Sequence, residues 1–161
     1  MKKITLMLLL IGFTLLAQAQ SKSVESLYNK YKSDKDFFHM DLAGNFLNFA
    51  EGMNLQLDEG QMGAIAKSVE RVKFFKLPVI GATARADFKT LQKGLERERF
   101  EVMMELSDKD NGIIMFSKGG KKIRDIVLLI SGKGNEDHMV IALEGEFDAQ
   151  TISEAGQEAI R

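Results

Sequence analysis

Two histidines are the residues whose type and neighbours come closest to metal or acid–base chemistry. His39 and His138 are each followed by methionine, and each has an acid nearby, at Asp41 and Asp137. Imidazole nitrogens and carboxylate oxygens are ligands of zinc and copper. They would meet only if the first and last strands of a sheet lay side by side, and no third ligand is indicated. The pattern is therefore typical of solvated histidines at strand ends. We predict no metal and no cofactor.

Other motifs that carry chemistry are incomplete. Read from Asp108, the turn "DKDNG" would need calcium ligands at Gly112 and Gly119, so a hairpin turn built on Asn-Gly explains it better. No cysteine is present, no serine lies in a Gly-x-Ser-x-Gly elbow, and "GKGNE" does not form a phosphate loop. We predict no catalytic residue. The basic cluster is typical of a solvated turn: Lys118, Lys121 and Lys122.

The first residues have the pattern of a secretory signal. Lys2 and Lys3 precede an apolar run, Ile4–Leu16, and the small-x-small triplet Ala17–Ala19 follows it. As a helix this run rises only about 20 Å, too short for a bilayer core of about 30 Å. A buried amphipathic helix would need a polar face that the run lacks. We expect residues 1–19 to be a signal peptide, with the working protein starting at Gln20.

Removal of residues 1–19 takes away two lysines and no acid, so the net charge moves from −1 to −3. This balance gives no basic surface for nucleic acid. No second apolar run is long enough to span a membrane. A lipoprotein needs a cysteine after the cleavage site, where Gln20 stands. We expect an exported protein, periplasmic or secreted, with no lipid-anchor cysteine.

Hydrophobic periodicity predicts the elements of the first half of the chain. Residues 20–35 form a polar N-terminal segment with a short helix, for which Ser23 is a candidate cap. A strand at Asp36–Leu42, two helical stretches, a strand at Arg71–Leu77 and a further helix follow. The apolar stripes of the four helices are Val24, Leu27, Tyr28 and Tyr31; Phe46, Phe49, Ala50 and Met53; Met62, Ile65, Ala66 and Val69; and Ala84, Phe88, Leu91 and Leu95.

The second half changes to a period of two. Four strands joined by short Gly- and Asn/Asp-rich turns predict an antiparallel meander, and a last helix is expected to begin at Asp148 as its cap. The stretch Ile126–Ile130 is apolar on both faces, which is typical of a central strand. Residues 36–161 are thus expected to form one α+β domain, with about six antiparallel strands and helices packed mainly on one face. The four strands are Phe100–Leu106, Gly112–Ser117, Ile123–Ile130 and His138–Phe147.

The stretches "FFHMDLAGNFLNFA", "FEVMMELSDKDNGIIMFSK" and "DIVLLISGKGNEDHMVIALEGEFDAQTI" resemble a family of small exported bacterial proteins, the domain of unknown function numbered 4252, found in Bacteroidetes-type organisms. The closing pattern Leu-x-Gly-x-Phe-Asp before a helix is filled by Leu143, Gly145, Phe147, Asp148 and Ile152. The resemblance implies export and a compact α+β domain, and it supplies no activity and no catalytic residues. Some members are lipoproteins, from which this sequence departs by lacking the cysteine.

Strand alternation divides the apolar side chains between two faces of the sheet. One set is expected to face the helices: Phe38, Met40, Phe100, Val102, Met104, Leu106, Ile126, Leu128, Ile130, Met139, Ile141 and Leu143. The opposite set is a candidate docking face: Met103, Val127, Leu129, Val140 and Ala142. Monomers seldom expose a large apolar patch. Either the N-terminal helix folds back over this face, or the face docks a protein partner or a second copy.

Two classes of function remain open at this stage. The first is a non-enzymatic envelope protein that binds another protein, in signalling or stress sensing. The second is a periplasmic hydrolase or a small-ligand-binding protein whose site has no motif. A deep polar pocket with shifted pKa values would favour the second, and an open, shallow, partly apolar sheet face would favour the first.

Overall fold

A computed structural model describes residues 21–44, 61–107, 111–132 and 137–158. The predicted signal segment, residues 1–19, and the helical stretch at Phe46–Met53 lie outside the described residues. The helices and strands, in chain order, are α1 (Lys22–Tyr31), β1 (Phe38–Ala43), α2 (Gln61–Ser68), β2 (Val69–Lys76), α3 (Gly81–Arg97), β3 (Glu101–Ser107), β4 (Gly112–Gly119), β5 (Lys122–Ser131), β6 (His138–Asp148) and α4 (Ala149–Glu158).

The six strands form one antiparallel sheet in the order β1-β2-β6-β5-β4-β3. Strands β3 to β6 are the meander that the turn chemistry predicts, and β5 lies inside the sheet, as its apolar run requires. The pair β1-β2 extends the sheet beyond β6. The α+β class and the six-stranded antiparallel sheet are therefore confirmed. Among the described helices, none is long and apolar enough to cross a membrane.

Helices pack on both faces of the sheet, whereas the sequence pattern predicted that they pack mainly on one face. Face A carries Phe75, Val127, Leu129 and Val140, which form a core with α1 and α3. Face B carries Val72, Ile126, Leu128, Ile141 and Leu143, against which α2 and α4 pack. Alternation along a strand separates two faces but does not say which helix covers which face. That choice is made by the connections between elements.

Helix α1 belongs to the core of the domain. Val24, Leu27 and Tyr31 recur at helical spacing and are all buried against face A. Its N-cap is Ser21, whose side chain accepts a hydrogen bond from the Val24 amide, rather than Ser23. The predicted cap of the last helix is confirmed, because the Asp148 carboxylate accepts from the amides of Gln150 and Thr151.

A carboxylate from α3 completes the start of α1. Glu98, just after α3, accepts hydrogen bonds from the Lys22 and Ser23 amides at 3.1 and 2.8 Å, and from the Ser23 hydroxyl. Gly94 lets the two helices approach, because a Cβ there would lie 2.1 Å from the Ser23 Oγ. A carboxylate at a helix N-terminus also interacts favourably with the helix dipole. The end of α3 therefore holds the start of α1 on the sheet.

Glu98→Ala should lower the free energy of unfolding by about 1–3 kcal/mol, because charge-assisted hydrogen bonds to two backbone amides are lost. Urea denaturation of the variant measures this change. Hydrogen exchange at the Lys22 and Ser23 amides should become faster at the same time. The matched control is Glu96→Ala, an exposed acid in the same turn of α3. Equal stabilities of the two variants would show that the contact between Glu98 and α1 contributes nothing.

Candidate functional site

The predicted docking face is core. Val127, Leu129 and Val140 are 2%, 2% and 0% exposed, because α1 and α3 cover them. Ala142 is half-buried against the same cluster. The docking interpretation is therefore wrong for these residues in the folded chain. The alternative interpretation of the sequence, in which the N-terminal helix folds back over this face, is the arrangement observed.

Met103 does not share that face at all. The pairing of β3 with β4 shifts register between Val102 and Met104, so a β-bulge interrupts the alternation there. As a result, Met103 packs with the cluster on face B. Val102 pairs with Phe116 of face A and is 51% exposed at the sheet edge. A bulge is set by backbone pairing, so residue periodicity alone misassigns the side chains around it.

The two histidines are not brought together, because β2 lies between β1 and β6. His39 is exposed, lies 3.1 Å from the Tyr28 hydroxyl and stacks near Phe37. His138 is 2% exposed and meets the edge of Phe88 at 4.7 Å between ring centroids. Among the described residues, no three His, Asp or Glu side chains are grouped so that they could hold a metal ion.

His138 carries a buried nitrogen that lacks a partner. Its Nδ1 makes no hydrogen bond, and burial lowers the pKa of the imidazole, as does the charge of Arg85, although Asp137 opposes this. The neutral imidazole is therefore the form that the fold accepts. The burial of His138 arises because β6 enters the sheet beneath α3. The His-Met pattern in the sequence gives no indication of this packing.

A charged network at the β1 side of face A was missed by the sequence interpretation. Lys73 is 3% exposed, pairs with Glu25 of α1 and lies 4.8 Å from the centroid of the Tyr28 ring. Arg71 forms two hydrogen bonds of 2.8 Å with Asp41, which hold the pKa of that carboxyl below its usual range. Both cations are thus used to join β1, β2 and α1. The network is structural.

A groove lies between α1 and α3 and has a volume of about 440 Å³. Its charged lining residues are Lys30, Asp87 and Arg97. Asp87 accepts hydrogen bonds from Lys30 at 2.7 Å and from the Tyr31 hydroxyl, and it raises the pKa of Lys30. This geometry ties the carboxylate into a helix–helix contact and keeps the amine charged. Neither group is placed to act as a general base.

Within the described ranges, helices cover face B at one end only. Helices α2 and α4 pack near Val69, Val72, Ile123 and Phe147, and the far half carries two rows of side chains that cross all six strands. We call these rows the open strip. None of its residues is buried, and Phe38 and Leu106 at its two ends are 61% and 38% exposed. The rows are Phe38, Lys76, Met139, Ile130, Ile113 and Leu106, and Met40, Phe74, Ile141, Leu128, Met115 and Met104.

The open strip has the dimensions of a binding site for one α-helix, and we call this site the helix seat. Six strands about 4.8 Å apart span about 24 Å, and two rows on one face lie about 7 Å apart. A helix is about 10–12 Å wide, and about 16 residues of it span the same length. Lys76 is the one polar side chain in the two rows, and Asp137 pairs with it at the rim. The strip can therefore bury the apolar face of one amphipathic helix.

The buried imidazole predicts a pH dependence of stability. The folded pKa of His138 lies below the unfolded value of about 6.5, so its contribution is fully present above that pH and is lost as the pH falls below it. His138→Leu should remove this loss, and urea denaturation between pH 7.5 and pH 5 measures it. His39→Gln is the control and should keep the wild-type slope. A slope unchanged by His138→Leu would contradict the assignment.

Comparisons with known proteins bear on the family and the fold. A family model described as "Domain of unknown function (DUF4252)" matches residues 31–155, which includes every strand of the sheet. No curated protein and no solved structure matches the chain. The family match covers most of the sequence and agrees with the resemblance carried by the closing strands. The chain belongs to the DUF4252 family.

Proposed function

We propose that this chain is an exported, non-enzymatic protein that binds an amphipathic helix of another protein in its open strip. The observation that carries the proposal is that the two rows, mostly apolar, stay partly exposed among the described residues, on a face whose other half is packed by helices. Helices α2 and α4 form a wall beside the strip, and a third helix would continue the same layer. Binding a helix there repeats the packing that the fold uses next to it.

Methionine side chains make this surface adaptable. Four of the strip residues are methionines, namely Met40, Met104, Met115 and Met139, and Met103 lies beside them at the bulge. An unbranched thioether changes rotamer at low cost and fits irregular apolar partners. Partners with different apolar patterns can therefore use the same seat. The carboxylates of Asp41 and Asp87 are used in structural pairs, which supports a binding role.

Export is the second part of the proposal, and it rests on the first residues of the sequence. Lys2, Lys3, the run Ile4–Leu16 and Ala17–Ala19 have the order of a signal peptide. The protein recovered from the envelope or medium of its native cells should have the intact mass of a chain starting at Gln20, or that mass less ammonia if the glutamine has cyclised. Recovery of the full-length mass from that fraction would contradict cleavage.

A photoreactive methionine analogue at Met115 tests the seat directly, because this residue lies in the middle of β4 and of the strip. In native cells it should crosslink to another protein, and the site should map to the apolar stripe of a helix. The purified partner should then bind the wild-type chain. Crosslinks to residues 45–60 of the same chain, or to a second copy, would overturn the choice of occupant.

Met115→Glu should weaken binding of that purified partner at least tenfold, because it places a charge in the apolar seat. Phe38→Glu repeats the test at the end of the strip, where the exposed side chain can be changed without disturbing the fold. The matched control is Ile80→Glu, which charges a 64% exposed apolar residue at the start of α3. Equal affinities for all three variants, measured by calorimetry on folded protein, would exclude the strip as the binding site.

A further inference from the structure

Three methionines lie together at the β3 end of the open strip. Met104 of β3 is the direct partner of Met115 of β4, and Met103 precedes it at the β-bulge. The register shifts between Val102 and Met104, so two residues of β3 stand opposite the single residue Met115. Met103 and Met115 both pack with the cluster on face B. Three thioethers therefore share one face within two neighbouring strands.

The bulge is the feature that brings these side chains together. In a regular strand, adjacent side chains point to opposite faces, so Met103 and Met104 would be separated by the sheet. Here Met103 is turned to face B, where Met104 lies with its partner Met115. Cross-strand partners have Cβ atoms about 4.5–5.5 Å apart, and a methionine side chain has three rotatable bonds. The three sulfurs can thus converge on one point without movement of the backbone.

Packing alone does not explain this concentration of sulfur. Among the described residues, the core on face A is built from aromatic and aliphatic side chains and contains no methionine. On face B the three methionines are each partly exposed, at positions where leucine would fill nearly the same volume. The thioethers are therefore in reach of solvent and available to a ligand.

The chemistry of a thioether determines which ligand this group can take. Soft sulfur donors select copper(I), whereas calcium and magnesium take oxygen ligands. Glu101 lies on the same face of β3, because it pairs with Ser117 opposite Ile126, and it is exposed. Its carboxylate adds a negative charge close to Met103, which favours a cation. Three neutral sulfurs beside one carboxylate suit a soft ion of single charge.

We propose that Met103, Met104 and Met115 form a binding site for copper(I). The three sulfurs occupy three coordination positions and the solvent side stays open, so a bound ion can exchange. The histidines take no part, because His39 lies on β1 at the opposite edge of the sheet and His138 is buried beneath α3. The inference goes beyond helix binding and does not depend on it, since every sulfur ligand belongs to this chain.

A titration of the purified protein with silver nitrate tests the site. The silver ion has the charge and softness of copper(I) and is stable in air. With methionines labelled with ¹³C at the methyl group, the signals of Met103, Met104 and Met115 should shift together and saturate at one ion per chain. The signals of Met40 and Met139, on β1 and β6 of the same strip, should stay in place. Copper(I) under nitrogen should give the same pattern, and Zn²⁺ should shift none of the three.

Met104→Leu should weaken silver binding by at least about tenfold, because one of three sulfur donors is lost while the side-chain volume is kept. Met115→Leu should have the same effect. The matched controls are Met139→Leu, which removes another sulfur of the strip, and His39→Gln, which removes an exposed imidazole. Both controls should keep the wild-type affinity. Calorimetry on folded protein measures all four variants.

Absence of saturable silver binding would overturn the inference. The same follows if Met40 or Met139 shifts as strongly as the three ligands, if Zn²⁺ gives equal shifts, or if Met104→Leu and Met115→Leu bind silver normally. The NMR titration uses the wild-type chain, so it is decisive even if a variant does not fold. It needs neither export nor a partner, and failure of helix binding would appear separately in the crosslinks from the strip.

Discussion

Face A is sealed by α1, and the rest of the structure depends on how that short helix is held. An isolated helix of ten residues is marginal in water. Here Glu98 binds its first amides, Glu25 reaches the buried Lys73, and Val24 enters the core at 1% exposure. These contacts join the start of the domain to β2 and to the end of α3. Loss of any of them would expose the apolar side chains beneath, including Val127 and Val140.

Once face A is closed, the two faces differ in what they can do. The packed face is fixed by aromatic and ionic contacts, whereas half of face B keeps flexible methionines in reach of solvent. A rigid scaffold below a deformable surface is an arrangement suited to recognition, since binding needs to order only side chains.

Much of this architecture can be predicted from the sequence, because the helices and strands are amphipathic with clear periods. The stripes of α1 and α3, the apolar run of β5 and the cap at Asp148 all correspond to observed elements. Alternation also groups Val127, Leu129 and Val140 correctly on one face. It cannot show which face is covered, since that depends on where the chain crosses the sheet. Nor can it show the bulge that moves Met103, or the burial of Lys73 and Asp125, which arise from contacts between distant segments.

The proposed function requires that the open strip is accessible to solvent in the folded protein. Methionine oxidation measures this accessibility in the purified chain, without any binding partner. Dilute hydrogen peroxide converts an accessible thioether to the sulfoxide, and mass spectrometry of proteolytic peptides gives a rate for each residue. Met40, Met104, Met115 and Met139 should each be oxidised in the folded chain within about tenfold of their rates in urea, because partly exposed thioethers remain in reach of the oxidant. Oxidation of these four residues only after global unfolding would contradict an open strip.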